Sequence, residues 1–212
     1  MKYEHIIWDF NGTILDDVET GILSVNKLLR DRGLPEIESK EQYRELFRFP
    51  IKGYYERLGF DFSKEPYEVI APIWVEQYLI NVKNAEVFPD VKDALERLHG
   101  MGIKQTVLSA TERNMLIYQL RELGIDGYFD EIMGLDNIHA SSKLSLAMKW
   151  KEMYGNCSAL MIGDTDHDLE TAKAMGVDCV LLSRGHQSKK YLASLGAKTF
   201  DEFFDLYVDI IQ

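Results

Sequence analysis

The sequence predicts an α/β fold: a three-layer core built on a parallel sheet, with a small all-helical domain inserted after the first strand. Three observations predict it. Beyond residue 86, short apolar runs alternate with stretches of helical period, the rhythm of a parallel sheet covered on both faces. Residues 17–85 hold helical patterns and no convincing strand. The first apolar run, His5-Ile6-Ile7-Trp8, stops on the carboxylate of Asp9 and turns through Asn11-Gly12. In an open parallel sheet, ligands bind beyond the carboxyl ends of strands, so such a turn is a candidate site.

The strands are expected over 5–9, 104–109, 131–134, 158–163 and 178–183. Helical periodicity fills 89–100, 111–123, 142–154, 166–175 and 200–211. In the insertion, helical stretches run from Glu19 to Arg32, Lys40 to Phe47, Ile51 to Leu58 and Pro66 to Val82, with Gly33 and Gly59 closing the first and third. The expected organisation is an α/β core of residues 1–16 and 86–212, carrying a helical cap domain of residues 17–85.

The 212 residues, 46% of them hydrophobic, suffice for one substantial core with a smaller insertion. Twenty-four basic against 35 acidic side chains give a formal charge of −11, the wrong sign for a nucleic-acid surface. That charge is compatible with a small anion held at one local site. Cys157 and Cys179 have neither metal-ligand spacing nor the density of a disulfide framework. No apolar run reaches the roughly 18 residues of a membrane span. A soluble, cytoplasmic protein, monomeric or weakly dimeric, is expected.

The residues after each strand carry the chemistry. Asp9, Asn11, Gly12 and Thr13 follow the first; Ser109, Ala110 and Thr111 follow the second; Lys143 follows the third; Asp164, Asp166 and Asp168 follow the fourth. Each has a plainer reading. Asp9 can simply end a strand. Ser109 with Glu112 fits a capping box, and Thr111 can cap the same helix. Asp166 and Asp168 suit the first turn of a helix. Lys143 does not, because a cation there opposes the helix dipole unless an anion offsets it.

The acidic loop is no calcium hand, since Leu169 and Met175 stand where Gly and Glu are required. Neither glycine-rich nucleotide signature is present. His5, His99, His139, His167 and His186 show no paired ligand spacing and read mostly as surface or loop residues. Carboxylates converging on one rim repel each other unless a cation joins them. Mg²⁺, a hard ion that takes oxygen ligands and substrate phosphate, resolves that repulsion. With Lys143 it would clamp a phosphoryl group for attack by Asp9.

These four segments, in this order, resemble the motifs of the haloacid dehalogenase superfamily. Asp9-Phe10-Asn11-Gly12-Thr13-Ile14-Leu15-Asp16 is similar to the first motif, D-x-D-G-T-x-x-D; Ser109 to the second; Lys143 to the third; and Gly163-Asp164-Thr165-Asp166-His167-Asp168 to the fourth. The helical insertion resembles the cap of the phosphoglycolate phosphatase and β-phosphoglucomutase branch. The resemblance implies a Rossmann-like core and a phosphatase acting on a small phosphorylated metabolite through an aspartyl-phosphate on Asp9. It implies Mg²⁺ bound by Asp9, the Asn11 carbonyl, Asp164 and Asp168. It implies phosphate contacts from Gly12, Thr13, Ser109, Ala110 and Lys143.

The departure is Asn11, where the superfamily's second Asp protonates the leaving oxygen and then activates water. A carboxamide keeps the metal-binding carbonyl and cannot transfer that proton. General acid–base catalysis is worth about 10²–10⁴-fold. The site is therefore expected to be assembled but slow, unless the substrate has a good leaving group or a cap residue supplies the acid. Otherwise the protein senses or binds a phospho-metabolite without turning it over. Cleavage of phosphonates or haloacids is a further, weaker alternative. In the insertion, Arg48 and Lys52 form a cationic pair near a helix start, equally readable as substrate contacts or as a solvated basic patch.

Overall fold

The structure is a computed structural model that describes residues 2–136, 143–155 and 157–204. In chain order the elements are β1 (His5–Trp8), α1 (Val18–Asp31), α2 (Lys40–Leu46), α3 (Ile51–Arg57), α4 (Tyr67–Asn81), α5 (Pro89–Gly100), β2 (Lys104–Glu112), α6 (Arg113–Glu122), β3 (Glu131–Leu135), α7 (Lys143–Tyr154), β4 (Ala159–Gly163), α8 (Asp166–Met175), β5 (Asp178–Leu182), α9 (Lys189–Ser194) and β6 (Lys198–Phe200). The six strands form one parallel sheet in the order β3-β2-β1-β4-β5-β6.

β1 is central, with Ile7 opposite Thr106 on one side and Met161 on the other. Side chains alternate across a strand, so its two faces feed two layers. Ile6 and Trp8 join Val107, Leu160 and Ile162 against α5 and α6, through Leu95, Leu98, Leu116 and Leu120. Ile7 joins Leu108, Met133 and Met161 against α7 and α8, through Ala147, Trp150, Ala172 and Met175. A strand buried on both faces is mostly apolar, which is why His5–Trp8 reads as a near-continuous run. Its one polar member, His5, bonds Thr106 Oγ1 at 2.8 Å.

The helices between β1 and α5 pack on one another. Val18, Ile22, Val25 and Leu29 recur at helical spacing along α1 and meet Tyr43, Tyr54, Tyr55 and Ile70 in a third apolar cluster. Each fully buried side chain of this size contributes about 1.5–3 kcal/mol.

Four expectations need correction. β2 runs on to Glu112, so α6 begins at 113 and Glu112 is its N-cap, accepting from the Asn114 and Met115 amides at 3.0 and 2.9 Å. Ser109 and Thr111 cap nothing here. The short elements α9 and β6 were not legible as periodic segments. His5 is buried within β1, and His186 is a loop residue, as expected, but a buried one. The expected helix over 200–211 falls mostly outside the described residues, as do His139 and the rest of residues 137–142.

Candidate active site

β1 and its neighbours β2 and β4 deliver their carboxyl ends to the point where the strand order reverses, the natural crevice of such a sheet. Asp9, Lys143, Asp164 and Asp168 meet there, all buried. One carboxylate oxygen from each of Asp9, Asp164 and Asp168 lies within 4.8 Å of the other two. Lys143 Nζ donates to Asp9 Oδ1 and, at 2.8 Å, to Asp168 Oδ1. The cation at the start of α7 is thus offset by two carboxylates.

The G-D-x-x-x-D loop folds so that its acids part company. Thr165 caps α8, and Asp168 Oδ2 accepts from the Asp164 and Thr165 amides and the Thr165 hydroxyl, at 3.1, 3.0 and 2.7 Å. Asp168 is therefore locked facing the cluster. Asp166 turns away, bonding Gln187 Nε2 and Tyr191 Oη, each at 2.8 Å. Asp164 Oδ2 accepts the His186 amide at 2.6 Å, and Thr13 donates its hydroxyl to Oδ1 at 3.4 Å. Two glycines make room for Asp164: a Cβ on Gly12 would lie 2.3 Å from its Oδ2, and one on Gly185 2.2 Å. Gly12 also has φ near +72°, a conformation that disfavours a side chain.

Burial, reinforced by Asp168, pushes the Asp9 carboxyl up to about 6 against the pull of Lys143. Burial, with Asp9 and Asp168 adding to it, raises Asp164 well above the usual range although His186 opposes. Burial also works on Asp168, but Lys143 outweighs it and lowers that group. Burial disfavours the Lys143 cation, and Asp168 and Asp9 more than restore it, so it stays charged. Lys143 thus bonds Asp9 and Asp168, and Asp9 and Asp164 still remain raised, short of positive charge. That deficit, and an all-oxygen donor set, fit a hard divalent cation.

Ser109 is buried two residues beyond the last β1–β2 pair, Trp8 with Val107; it accepts the Thr111 amide and bonds the Thr111 hydroxyl, both at 3.1 Å. Ala110 beside it is exposed. Thr111 in turn donates to Asn11 Oδ1 at 3.1 Å, joining the second motif to the first.

The other end of the Asn11 side chain meets residues that sequence reasoning did not single out. Asn11 Nδ2 donates to Asp17 Oδ2 at 2.9 Å and approaches Tyr78 Oη, on α4, at 2.7 Å. Tyr78 donates to the same Asp17 oxygen at 2.5 Å. Asp17 Oδ1 accepts the Gly12 amide at 2.8 Å and faces His186 Nε2 at 3.2 Å. His186 Nδ1 is 2.9 Å from the Tyr43 hydroxyl on α2. Burial works against a charged His186, but Asp17 raises it to about 9, with Asp164 and Asp9 adding. Reciprocally, burial would lift Asp17, and His186 holds it below the usual carboxylate range. The strand-end rule would have found His186, which follows β5. Tyr78 carries no such signal, because its partners lie 61 and 67 residues away.

Arg48 and Lys52 have different partners. Arg48 donates to the Arg44 carbonyl at 2.8 Å and to that of Phe47 at 2.5 Å, and lies over the Tyr191 ring at 3.6 Å. Lys52 is exposed, 5.3 Å from the Phe62 ring. A cavity of about 380 Å³ opens along the seam between α2 and the core, lined by Lys40, Arg44, Asp90 and Arg184 among others. It does not contain the carboxylate cluster.

Comparison with known proteins agrees with this geometry. Over 199 residues the chain is 27% identical to phosphoglycolate phosphatase 1 of Pseudomonas aeruginosa, covering 89% of this chain and 72% of that protein. It is 28% identical over 185 residues to the phosphoglycolate phosphatase of Aquifex aeolicus, covering 85% of each. A solved haloacid dehalogenase-like hydrolase from Streptococcus pneumoniae superposes with a TM-score of 0.82 over 99% of both chains, at 19% identity, which speaks to the fold alone. The haloacid dehalogenase-like hydrolase family matches residues 6–182, and with the motif residues gathered beyond the carboxyl ends of the central strands, this chain belongs to that family.

Proposed function

We propose that the chain is a Mg²⁺-dependent phosphomonoester hydrolase, phosphoglycolate-phosphatase-like, acting on a small phosphorylated metabolite through an aspartyl-phosphate on Asp9. The observation that carries this reading is Asp9 held between the Lys143 cation and the Asp164–Asp168 carboxylates. A nucleophilic carboxylate needs its charge available and its geometry fixed. At neutral pH an Asp9 carboxyl of about 6 is mostly ionised, and Lys143 pins one of its oxygens.

Asp9, the Asn11 carbonyl, Asp164 and Asp168 would hold the metal, whose charge would neutralise these carboxylates and a phosphoryl oxygen. The Lys143 ammonium would offset charge developing on the transferring group. Ser109, Ala110, Gly12 and Thr13 would orient the remaining phosphoryl oxygens, Ser109 exchanging its internal bond to Thr111 for one to substrate. Residues 17–85 would act as a cap that excludes water and chooses the substrate. In support, α2 binds the loop after β5, with Arg44 donating to the Gly185 carbonyl at 2.8 Å and to that of Arg184. Phe49 also stacks on His167 with ring centres 3.7 Å apart.

A panel of sugar and short-acid phosphates beside an activated aryl phosphate tests the proposal. Mg²⁺-dependent release of phosphate, abolished in Asp9→Asn, is the expected result. Labelling of Asp9→Asn by a phosphoryl donor would overturn the nucleophile assignment. A second reading, a binding protein for a phospho-metabolite, draws on the Asn11 amide. Saturable binding of one metabolite with no turnover of any ester would favour it.

A further inference from the structure

The shorter of the two described hydrogen bonds to the Asp164 carboxylate comes from the peptide group that joins Gly185 to His186, in the loop after β5. The N–H of that group donates to Asp164 Oδ2 at 2.6 Å. Its C=O, the Gly185 carbonyl, accepts Arg44 Nε from α2 at 2.8 Å. The peptide is trans, and in a planar trans peptide the N–H and the C=O point in opposite directions. One rigid plane thus has Arg44 at one edge and Asp164 at the other.

The loop gives that plane a soft hinge. Gly185 has no side chain, and glycine adopts many backbone conformations at little steric cost, so a peptide beside it turns easily. No side chain can stiffen the hinge, because a Cβ there would fall 2.2 Å from Asp164 Oδ2. The core anchors the loop only at its ends. The Ser183 amide donates to the Phe200 carbonyl at 2.9 Å, and Gln187 exchanges two bonds of 2.8 Å with Asp166. Between those anchors, the described hydrogen bonds to the Arg184 and Gly185 carbonyls both come from the Arg44 guanidinium, at 2.5 and 2.8 Å. A planar guanidinium is a rigid fork, so it fixes the two carbonyls relative to each other. α2 holds the loop twice more: Tyr43 Oη lies 2.9 Å from His186 Nδ1, and the Ser188 amide donates to the Arg44 carbonyl at 3.3 Å.

From this geometry we infer that Arg44 is a positioning residue for the metal ligand Asp164: by pinning the Gly185–His186 peptide it aims the N–H that orients the carboxylate, so docking of α2 on the loop and Mg²⁺ binding favour each other. The inference rests on the metal-dependent reading above and adds to it a coupling between the helical insertion and the metal. Linkage makes that coupling reciprocal. Groups that orient a metal ligand are worth about 10–100-fold in metal affinity, and Arg44 acts on such a group from its far side. The sign of the effect separates it from simple charge. Removing a cation near a Mg²⁺ site would by electrostatics alone tighten metal binding. Losing the aimed N–H weakens it, because Asp164 is no longer held toward Asp9 and Asp168.

The test is Mg²⁺ affinity, read by titration calorimetry in the absence of substrate. Arg44→Met keeps the stem of the side chain and removes the fork. Its Kd for Mg²⁺ is expected to rise about fivefold or more. Phe49→Leu is the comparison, since it removes the stack of the insertion on His167 and leaves both loop carbonyls held. It should keep Kd within about twofold of wild type, as a site with no shared partner does. Unchanged or tighter binding in Arg44→Met, or an equal loss in Phe49→Leu, would overturn the role of Arg44. Wild-type protein alone also decides, even if Arg44→Met fails to fold. Mg²⁺ should slow amide hydrogen exchange in α2 more than in α6, which packs at the far edge of the sheet. Equal slowing in the two helices would contradict the coupling. A wild type that binds no Mg²⁺ removes the metal reading and this one with it, whereas Mg²⁺ binding that is indifferent to Arg44 removes only this one.

Discussion

Asn11 donates a 2.9 Å hydrogen bond to the buried carboxylate of Asp17, so the amide at position 11 is matched to a neighbouring acid. Asn11→Asp turns that bond into a contact between two carboxylates. Each neighbour's charge raises the other's pKa, so the folded state holds a proton that the unfolded chain releases at about pH 4. The variant is expected to be close to wild type in Tm at pH 4 and clearly less stable at pH 8 without metal. Equal Tm differences at both pH values would show that the contact relaxes.

Mg²⁺ is expected to raise Tm by binding only the assembled cluster. At a hundredfold excess over Kd the linkage is worth about 2.7 kcal/mol. Asp164→Ala should remove the shift. Because Asp9 titrates at about 6 and Asp164 is also raised, protons compete with the metal, and the shift should shrink as pH falls below about 6. Thermal melts with Mg²⁺ and with chelator at pH 5 and 7.5 check this; an undiminished shift at pH 5 would count against these ligands.

The His186–Asp17 pair should make metal-free stability fall as the solution turns alkaline. Folding raises His186 from its ordinary value near 6.5 to about 9. Its contribution is fully present below pH 6.5 and is lost as pH rises through 9. The full effect is on the order of 3 kcal/mol. Denaturant midpoints between pH 6 and 9.5 should slope downward in wild type and flatten in His186→Gln.

Gly185→Ala should damage the site through crowding alone, since its Cβ would fall 2.2 Å from Asp164 Oδ2 and its φ is not left-handed. Overpacking of this kind costs about 1–3 kcal/mol. The Mg²⁺-dependent part of Tm should fall more than the metal-free Tm. A normal Mg²⁺ response in a destabilised protein would place the crowding elsewhere.

Arg48→Ala and Lys52→Ala should separate. Arg48 over Tyr191 offers a cation–π contact worth about 0.5–2 kcal/mol, so its loss should lower Tm. Lys52, exposed over Phe62, should change stability by less than about 0.5 kcal/mol. A rise in KM for an anionic substrate in Lys52→Ala, with KM for an aryl phosphate unchanged, would restore it as a substrate contact.

The sequence by itself determined the alternation of the core, because β1, β2 and β4 must be apolar on both faces and α1 must carry one apolar stripe. It also determined which residues follow the strands: Asp9, Asn11, Ser109, Asp164 and Asp168 come directly after strand patterns and Lys143 opens the helix after β3, all positions that local periodicity reveals. Short elements such as β6, three residues long, offer too few periods to register. The capping of α6 depended on how far β2 pairs with β3, a matter of partner strands and not of residues 109–112 themselves. Only the tertiary structure decided what surrounds Asn11. Asp17 is six residues away, Tyr78 sixty-seven and Thr111 one hundred, and a hydrogen bond between distant segments leaves no periodic trace in the chain. Burial likewise exists only after folding, so the raised Asp9 and the His186–Asp17 ion pair belong to the packed molecule and not to the sequence of charges along it.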